Sequence, residues 1–305
     1  MIVNWNAGEF LAQCLGSLLA ADCSGVRIAR IVIIDNASTD GSMEGLAGLD
    51  GRIRLVVNTT NLGFAAACNL GAADSSADYL LFLNPDTRLF RESLSLPVTF
   101  MEQPRNAGIG ICGIQLLDDR GLPARSCARF PTTRSLIHHM LGLDRLLPNG
   151  FPSHFMADWD HATSRCVDHV IGAFFLVRRT LFERLGGFDE RFFLYWEDLD
   201  FSLMAHGLGY RSYFLAEAGA YHKGGGTSGR IRARRLFYSL RSRLLFSGKH
   251  FGRLDRMLVA VGTFCVEPLV RLGHALLRGS PRQFVETLSG YGMLYAGAFK
   301  SRKMK

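Results

Sequence analysis

Short apolar runs alternate with helix-spaced apolar positions along the first 84 residues. The runs are β-branched or wholly apolar, as in Ile31-Val32-Ile33-Ile34 and Tyr79-Leu80-Leu81-Phe82-Leu83. Strands that are buried on both faces of a parallel sheet need such near-continuous apolar sequences. Between the runs, residues 10–19 and the Ala-rich stretch 64–71 repeat apolar residues at helical spacing. The pattern predicts βαβ units in an α/β fold with a doubly wound, mostly parallel sheet.

The opening strand is short for this arrangement. Only Met1, Ile2 and Val3 precede the polar sequence Asn4-Trp5-Asn6. A truncated start and an edge position in the sheet would each account for a strand of this length, and the sequence leaves both open.

The regular pattern stops at about residue 118 and resumes at about 168. The intervening sequence is rich in Pro, Gly, Arg and His, which favours loops. Residues 170–177 then predict a strand, followed by a helix through Leu185 that ends at Gly186-Gly187, where glycine can take a positive φ. A further helix is predicted to start near Glu197, and a strand from 210 to 215 leads to His222.

The charge of the chain is concentrated at its carboxyl end. The net charge is +8, but residues 1–222 carry −6 and residues 223–305 carry +14. The segment 229–305 is predicted to be a basic, amphipathic helical tail, and its most apolar stretch, 257–277, falls short of the roughly 18 uncharged residues of a spanning helix. We therefore expect the tail to lie on an anionic membrane surface. A solvated helical face and a surface for homo-oligomerisation are the alternatives.

Cysteine usage and the amino-terminal sequence bear on the compartment. The seven cysteines include no C-x-x-C pair, so reduced thiols are expected rather than a disulfide framework or a zinc site. No signal peptide opens the sequence. We expect a cytoplasmic protein that is peripheral at the inner face of the cell membrane.

Polar sequences follow the second and third predicted strands. Asp35 to Ser42 begins directly after one strand, and Asn61-Leu62-Gly63-Phe64 follows the next. At this position in an open α/β sheet, polar side chains can bind a nucleotide, and Gly63 lets the backbone approach a ligand closely. The alternative is an ordinary turn in which Ser38 or Thr39 caps a helix.

Two acidic clusters and one histidine carry the candidate chemistry. Asn84-Pro85-Asp86 closes a buried strand, where a carboxylate can hold Mg²⁺ or Mn²⁺ against two phosphates. Glu197 and Asp198 lie among aromatic residues, where desolvation raises a carboxyl pKa towards that of a general base. The two side chains point to different faces of the predicted helix, so only one of them is expected to enter the site. His222 can complete the ligand shell of a metal.

Two other motifs are set aside. Residues 108–113 match G-x-G-x-x-G, but the match lies inside a strand-like run rather than between a strand and a helix. His154, Asp158, Asp160 and His161 resemble a metal cluster, but they lie in an irregular loop.

The order of these motifs resembles the family 2 glycosyltransferases, which have the GT-A fold, and within them the bacterial rhamnosyltransferases. The resemblance extends over residues 1–228. It rests on the motifs at 2–6, 32–42, 61–65, 83–86 and 172–179, on the segment 186–200, and on His222 before its glycines. It implies one domain of 1–228, with a nucleotide-sugar half of about 1–117 and an acceptor half of about 118–228.

The resemblance also implies roles for individual residues. Asp35 would bind the nucleotide base, and the donor pocket would be lined by Asn4, Asn61 and Asn69. The other expected substrate-binding residues are Gly63, Asn84, Trp196 and Glu197. Asp86 and His222 would bind a divalent metal, Mg²⁺ or Mn²⁺. Asp198 would deprotonate the acceptor hydroxyl, which gives a single displacement with inversion. The implied partners are a nucleoside-diphosphate sugar, plausibly of rhamnose, and a saccharide or lipid-linked saccharide acceptor of cell-surface polysaccharide synthesis.

The chain departs from the family pattern at two positions, and two other functions stay open. Asn84 replaces the first Asp of the usual D-x-D pair, which leaves one charged ligand fewer, and Trp196 replaces a common Gly and is expected to shape the acceptor side. A nucleotidyltransferase would share the sheet, the nucleotide and the metal. A non-catalytic module that binds nucleic acid or glycan is the other alternative, although the acidic residues of 1–222 would repel nucleic acid, so no nucleic-acid partner is expected.

Overall fold

The computed structural model describes residues 1–46, 48–151, 153–224 and 231–303. The strands are β1 (Ile2–Asn4), β2 (Ile31–Asp35), β3 (Ile53–Val57), β4 (Tyr79–Leu83), β5 (Thr87–Leu89), β6 (Ile109–Leu117), β7 (Cys127–Ala128), β8 (Arg165–Val167), β9 (His169–Val170), β10 (Phe174–Arg178) and β11 (Arg211–His222). The helices are α1 (Glu9–Ala20), α2 (Phe64–Ala72), α3 (Ser95–Glu102), α4 (Thr133–Met140), α5 (Leu143–Leu146), α6 (Arg179–Leu185), α7 (Glu197–Gly207), α8 (Arg232–His250), α9 (Arg253–Val261), α10 (Glu267–Leu277) and α11 (Pro281–Lys303).

A nine-stranded sheet forms the centre of the fold. Its order is β3-β2-β1-β4-β10-β6-β11-β5, and β8 pairs with β11. Strands β1 to β4 pair in parallel, β10 is antiparallel to both β4 and β6, and β11 is parallel to β6. Six of the nine strands therefore run in one direction, and the predicted mostly parallel α/β sheet is confirmed.

Helix α1 shows why these elements form. Its apolar residues Leu11, Cys14, Leu15 and Leu18 recur at spacings of three and four, and all four are buried in the same core as Ile2 and Ile33 of the sheet. Strand β2 is buried at every position, as its continuous apolar sequence predicts. Helix α6 ends at Gly186 with φ +77°, which confirms the predicted glycine cap.

Several sequence-based predictions of elements were wrong. Strand β1 is an interior strand between β2 and β4, so an edge position does not explain its length. No helix follows Ser38 before β3 among the described residues, since 42–45 form turns. The predicted loop region contains α4, and the predicted strand 170–177 is divided into β9 and β10 by residues 171–173. Helix α4 was missed because its apolar positions are few and are interrupted by His138 and His139.

The glycines of the G-x-G-x-x-G match have a packing role. Gly110 and Gly113 lie on β6, which confirms that the match is not a strand-to-helix turn. A Cβ on Gly110 would lie 2.4 Å from Leu181 Cδ2, and one on Gly113 would lie 2.7 Å from Val170 Cβ. These glycines let neighbouring side chains close over the sheet.

The chain divides into two compact units. The first comprises Met1–Phe130, Asp158–Phe193 and Glu197–Thr227 and contains the whole sheet. The second comprises Pro131–Ala157, Leu194–Trp196 and Ser228–Lys305, and the elements of its described part are the helices α4, α5 and α8 to α11. The predicted boundary at residue 228 lies outside the described residues. The division into a donor half and an acceptor half stays a prediction.

Replacing Gly113 by Ala tests the packing role. The added methyl group would overlap the β-branched Val170, so we expect Gly113→Ala to lower the free energy of unfolding by about 1–3 kcal/mol. Gly108→Ala is the matched control, because a Cβ there meets no atom within 4 Å. Urea unfolding of both variants measures the effect, and equal midpoints would contradict the packing argument.

Candidate active site

The polar candidates converge because of the strand directions. Asn4, Asp35 and Asn84 lie at or directly after the carboxyl ends of β1, β2 and β4, which are parallel neighbours. Strand β11 runs the same way and ends at His222. Strand β10 runs in the opposite direction, so its amino end, with Gly172 two residues before it, lies at this same edge, paired with Leu83. The edge where open α/β sheets bind ligands is thus the polar one.

Asn4 and Asp35 form a buried hydrogen-bonded network. The side-chain amide of Asn4 donates to Asp35 Oδ1 at 2.8 Å and lies 3.0 Å from Ser38 Oγ and 2.8 Å from Ser42 Oγ. Asp35 Oδ2 accepts from the backbone N–H of Ser38 at 3.0 Å. The amide oxygen of Asn4 is buried without a hydrogen-bond partner among the described residues. The polar sequence after β2 is therefore a turn rather than a helix cap, and the network that joins it to β1 contains one unsatisfied acceptor, on Asn4.

The Asn61–Gly63 turn and Asn69 fix the following segment. Asn61 Oδ1 accepts from Gly63 N–H at 2.9 Å, and Gly63 has φ +87°. A Cβ on Gly63 would lie 2.5 Å from the carbonyl oxygen of Phe193, so only glycine fits this approach. Asn69 uses both ends of its amide on the backbone of Phe188, at 2.8 Å each. Asn69 therefore joins α2 to the segment before α7 by two hydrogen bonds.

Asp86 and His222 meet because β5 pairs with β11. The register aligns His222 with Thr87, the residue after Asp86. His222 Nε2 lies 3.3 Å from Asp86 Oδ1 and 3.5 Å from the amide nitrogen of Asn84, and both ionisable side chains are largely buried. A carboxylate oxygen and an imidazole nitrogen are a donor set that fits Mg²⁺ or Mn²⁺. No group of three or more His, Cys, Asp or Glu suited to a metal occurs in the described part of the chain.

The break between β9 and β10 holds Asp198. The backbone N–H of Gly172 donates to Asp198 Oδ2 at 2.7 Å, and that of Leu199 donates to Oδ1 at 2.8 Å. An ionised carboxylate offers about four acceptor positions, so Asp198 retains capacity to accept a proton. A Cβ on Gly172 would lie 3.2 Å from Oδ2, which explains the small residue there.

His169 lies behind Asp198 and was not predicted from the sequence. Its Nε2 is 3.6 Å from Asp198 Oδ2, and its Nδ1 is 3.1 Å from Ser202 Oγ. Because the Ser202 hydroxyl donates to the carbonyl oxygen of Asp198, it accepts from His169, which assigns the imidazole proton to Nδ1. Burial lowers the pKa of His169 and favours this neutral form. The other ring nitrogen, Nε2, then carries no proton and faces Asp198.

Glu197 and Asp198 have different surroundings, as the helix geometry predicts. Glu197 is buried, and its Oε2 has no hydrogen-bond partner among the described residues. Burial, and next the charge of Asp198, raise the pKa of Glu197 well above its ordinary value. The predicted role of Glu197 in substrate binding stays a prediction, with its carboxyl group placed in the interior.

Trp196 belongs to the second unit. There its ring packs against Phe246, with centroids 5.2 Å apart, and against the cluster of Leu136, Met140 and Val259. Its φ is +74°, a conformation that favours glycine, which accounts for the small residue expected at this position. The predicted role of Trp196 on the acceptor side stays a prediction.

Two residues of the motif that was set aside, His161 and Asp158, have contacts within the first unit. His161 stacks on Trp159 with centroids 4.3 Å apart and is largely buried, and burial lowers its pKa. Asp158 pairs with Arg129 at 2.6 Å. Both side chains thus have contacts within the fold that require no metal.

Comparison with known proteins identifies relatives of this chain. The family model of Glycosyl transferase family 2 matches residues 1–186. The chain is 28% identical over 264 residues to an N-acetylglucosaminyl-diphospho-decaprenol L-rhamnosyltransferase of Mycobacterium tuberculosis, over 82% of this chain and 84% of that one. It is 27% identical to the rhamnosyltransferase WbbL of Escherichia coli, over 73% and 81%.

A solved structure shares the fold. The mannosyltransferase PcManGT of Pyrobaculum calidifontis, determined with GDP-Man and Mn²⁺, aligns with a TM-score of 0.55 at 16% identity, over 99% of this chain and 81% of that one. The predicted α/β GT-A fold is confirmed by this likeness and by the sheet described above.

The raised pKa of Glu197 predicts a pH dependence of stability. The folded state keeps a proton on this carboxyl where the unfolded chain, with a pKa near 4.5, has lost it. The stability that the proton contributes is present below the ordinary pKa and is lost as the pH rises through the raised value. Glu197→Gln mimics the neutral form, so its free energy of unfolding should decline less than that of the wild type between about pH 5 and 8. Urea unfolding across this range measures it, and parallel profiles would show that Glu197 is ionised when folded.

Proposed function

Since the chain belongs to glycosyl transferase family 2 and is an enzyme of the glycosyltransferase class, we propose that it transfers rhamnose from a nucleoside-diphosphate sugar to a lipid-linked saccharide, with inversion at the anomeric carbon. The reaction would serve the synthesis of cell-surface polysaccharide. The protein would act in the cytoplasm, at the inner face of the cell membrane, where a lipid-linked acceptor is held.

One observation carries the proposal: a single edge of the sheet brings together a metal-type donor pair and a separate carboxylate that is held by backbone N–H groups. Asp86 and His222 form the pair, and Asp198 is the carboxylate. Transfer with inversion needs two such groups, one for the departing diphosphate and one for the attacking hydroxyl.

The donor end of the site is proposed around Asp35. Its carboxylate is held by Asn4 and the Ser38 backbone N–H, so it would meet a nucleotide base in a fixed orientation. The buried acceptor of Asn4 adds one hydrogen-bonding position, and Asn61 and Gly63 shape the neighbouring backbone. A divalent cation bound by Asp86 and His222 would neutralise the charge that develops on the nucleoside diphosphate.

Asp198 is proposed as the general base. Its two backbone hydrogen bonds orient the carboxylate before substrate arrives, and its free acceptor positions take the proton of the acceptor hydroxyl. His169, with Nε2 3.6 Å from Asp198 Oδ2, would act as a positioning residue behind the base.

The sugar and the acceptor are proposed from the relatives. Two relatives are named as rhamnosyltransferases, and the name of one specifies an acceptor saccharide on diphospho-decaprenol. This chain aligns with more than four fifths of the length of each relative, so the likeness extends beyond the nucleotide-binding half.

The donor can be identified by thermal stability against a panel of nucleoside-diphosphate sugars, with and without Mg²⁺ or Mn²⁺. A ligand at 100 times its dissociation constant stabilises the folded state by about 2.7 kcal/mol, a measurable shift in Tm. We expect a metal-dependent shift for a rhamnose donor, lost in Asp86→Ala and retained in Asp78→Ala, whose exposed side chain lies before the amino end of β4. A shift that Asp86→Ala leaves intact would remove Asp86 from the metal site.

The base is tested by Asp198→Asn. The amide keeps the size of the side chain and cannot accept the hydroxyl proton, so we expect kcat to fall by at least about 100-fold while the donor-induced Tm shift persists. Transfer assays with the identified donor and a lipid-linked acceptor measure kcat, and Asp78→Asn is the control. Turnover close to that of the wild type would rule out Asp198 as the base.

A further inference from the structure

The second unit contains a helix that buries polar side chains and exposes apolar ones. Helix α9, a π-helical turn at Gly262–Val266 and α10 form one continuous helix, Arg253–Leu277. By length and composition alone, this helix could cross a membrane. Its inward positions include Val259, Thr263, Glu267 and Ala275, which are four or eight residues apart, and each of these is at most 1% exposed. The inward face is thus in part polar.

A buried ion-pair network occupies that inward face. Glu267 pairs with the guanidinium of Arg243 from α8 and, at 2.7 Å, with that of Arg271. Burial alone would raise the pKa of Glu267, but the two guanidinium groups hold it below its ordinary value, so the carboxylate is charged. Thr263 Oγ1 accepts a further hydrogen bond from Arg243. These contacts attach the helix to α8 through its polar side.

The outward face of the same helix is apolar. Leu254 is 65% exposed, Leu269 is 71% exposed and Leu277 is 91% exposed. The exposed large apolar residues of this face, here called the apolar stripe, are Leu254, Met257, Leu258, Val261, Leu269, Leu276 and Leu277. A water-facing helix buries its apolar face and exposes its polar one, so this arrangement is suited to a non-aqueous neighbour.

Basic residues flank the apolar stripe. Arg253 precedes the stripe, Arg256 lies within its first turn, and Arg278 follows its last residue. All three arginines are exposed. Residues 223–305 together carry a charge of +14. Anionic lipid headgroups complement such a rim, whereas a second copy of the chain would bring like charges together.

We propose that the apolar stripe docks the protein on an anionic bilayer, with α9 and α10 lying in the plane of the membrane interface. The leucines would enter the acyl boundary and the flanking arginines would meet the headgroups. A spanning orientation would surround the helix with lipid and expose Glu267 and its arginine partners to hydrocarbon, which is costly. The inference rests on the proposed function in one respect, namely that a lipid-linked acceptor makes membrane docking useful.

Vesicle co-sedimentation of the full chain tests the docking. We expect the wild type to bind vesicles of phosphatidylglycerol and phosphatidylcholine, more weakly as salt is raised, and to bind pure phosphatidylcholine poorly. The double variant Leu254→Gln, Leu269→Gln removes two exposed apolar side chains and should bind at least about tenfold more weakly. Leu49→Gln, Leu122→Gln is the matched control, since these leucines are 55% and 56% exposed outside the stripe.

Three results would overturn the docking surface. They are an absence of binding by the wild type, equal binding by the stripe variant, and a wild-type dimer that becomes a monomer in the stripe variant in light scattering without lipid. The last would assign the stripe to contact between two copies. The Tm shift with a sugar nucleotide, measured without vesicles, separates the two proposals. Vesicle binding without any donor shift would contradict the proposed function alone, and a donor shift without vesicle binding would contradict the docking alone.

Discussion

The parallel pairing of β1 with both β2 and β4 is the constraint on which the candidate site depends. The register sets Asn4 beside Asp35 and Ile2 beside Leu83, so the polar residues that end these strands lie at one edge. The strands themselves are apolar because the sheet is covered on both faces, and this leaves the edge as the place for polar side chains. A one-residue slip of β1 would bury Asn4 elsewhere and separate it from Asp35.

The reversed direction of β10 completes that edge. Had β10 been parallel to β4, its amino end would lie at the far side of the sheet, and Gly172 would not reach Asp198. The antiparallel strand therefore delivers a backbone donor to the carboxylate at the start of α7. The proposed donor side and the proposed base side thus depend on strands of opposite direction within one sheet.

A buried polar group lowers the free energy of unfolding unless it has a hydrogen-bond or ionic partner. At the sheet edge, Asn4 Oδ1 and Glu197 Oε2 are left without partners among the described residues, as expected where a ligand or a proton completes the environment. In the helical unit, Glu267 is held by two arginines, which makes the polar face structural and leaves the apolar face outward.

Local sequence patterns predicted the strands β1 to β4, the helices α1, α2, α6 and α7, and the identity of most candidate residues. These features are local: apolar periodicity, glycine caps and the polar residues directly after strands are all encoded within a few positions. Three features are visible only in the tertiary structure: β1 is an interior strand, Asp86 lies beside His222 because β5 pairs with β11, and His169 lies behind Asp198. The buried face of the helix Arg253–Leu277 is likewise known only from the structure, since the periodicity alone favours burying the apolar face. Each of these depends on contacts between residues far apart in the chain, whose geometry no local pattern specifies.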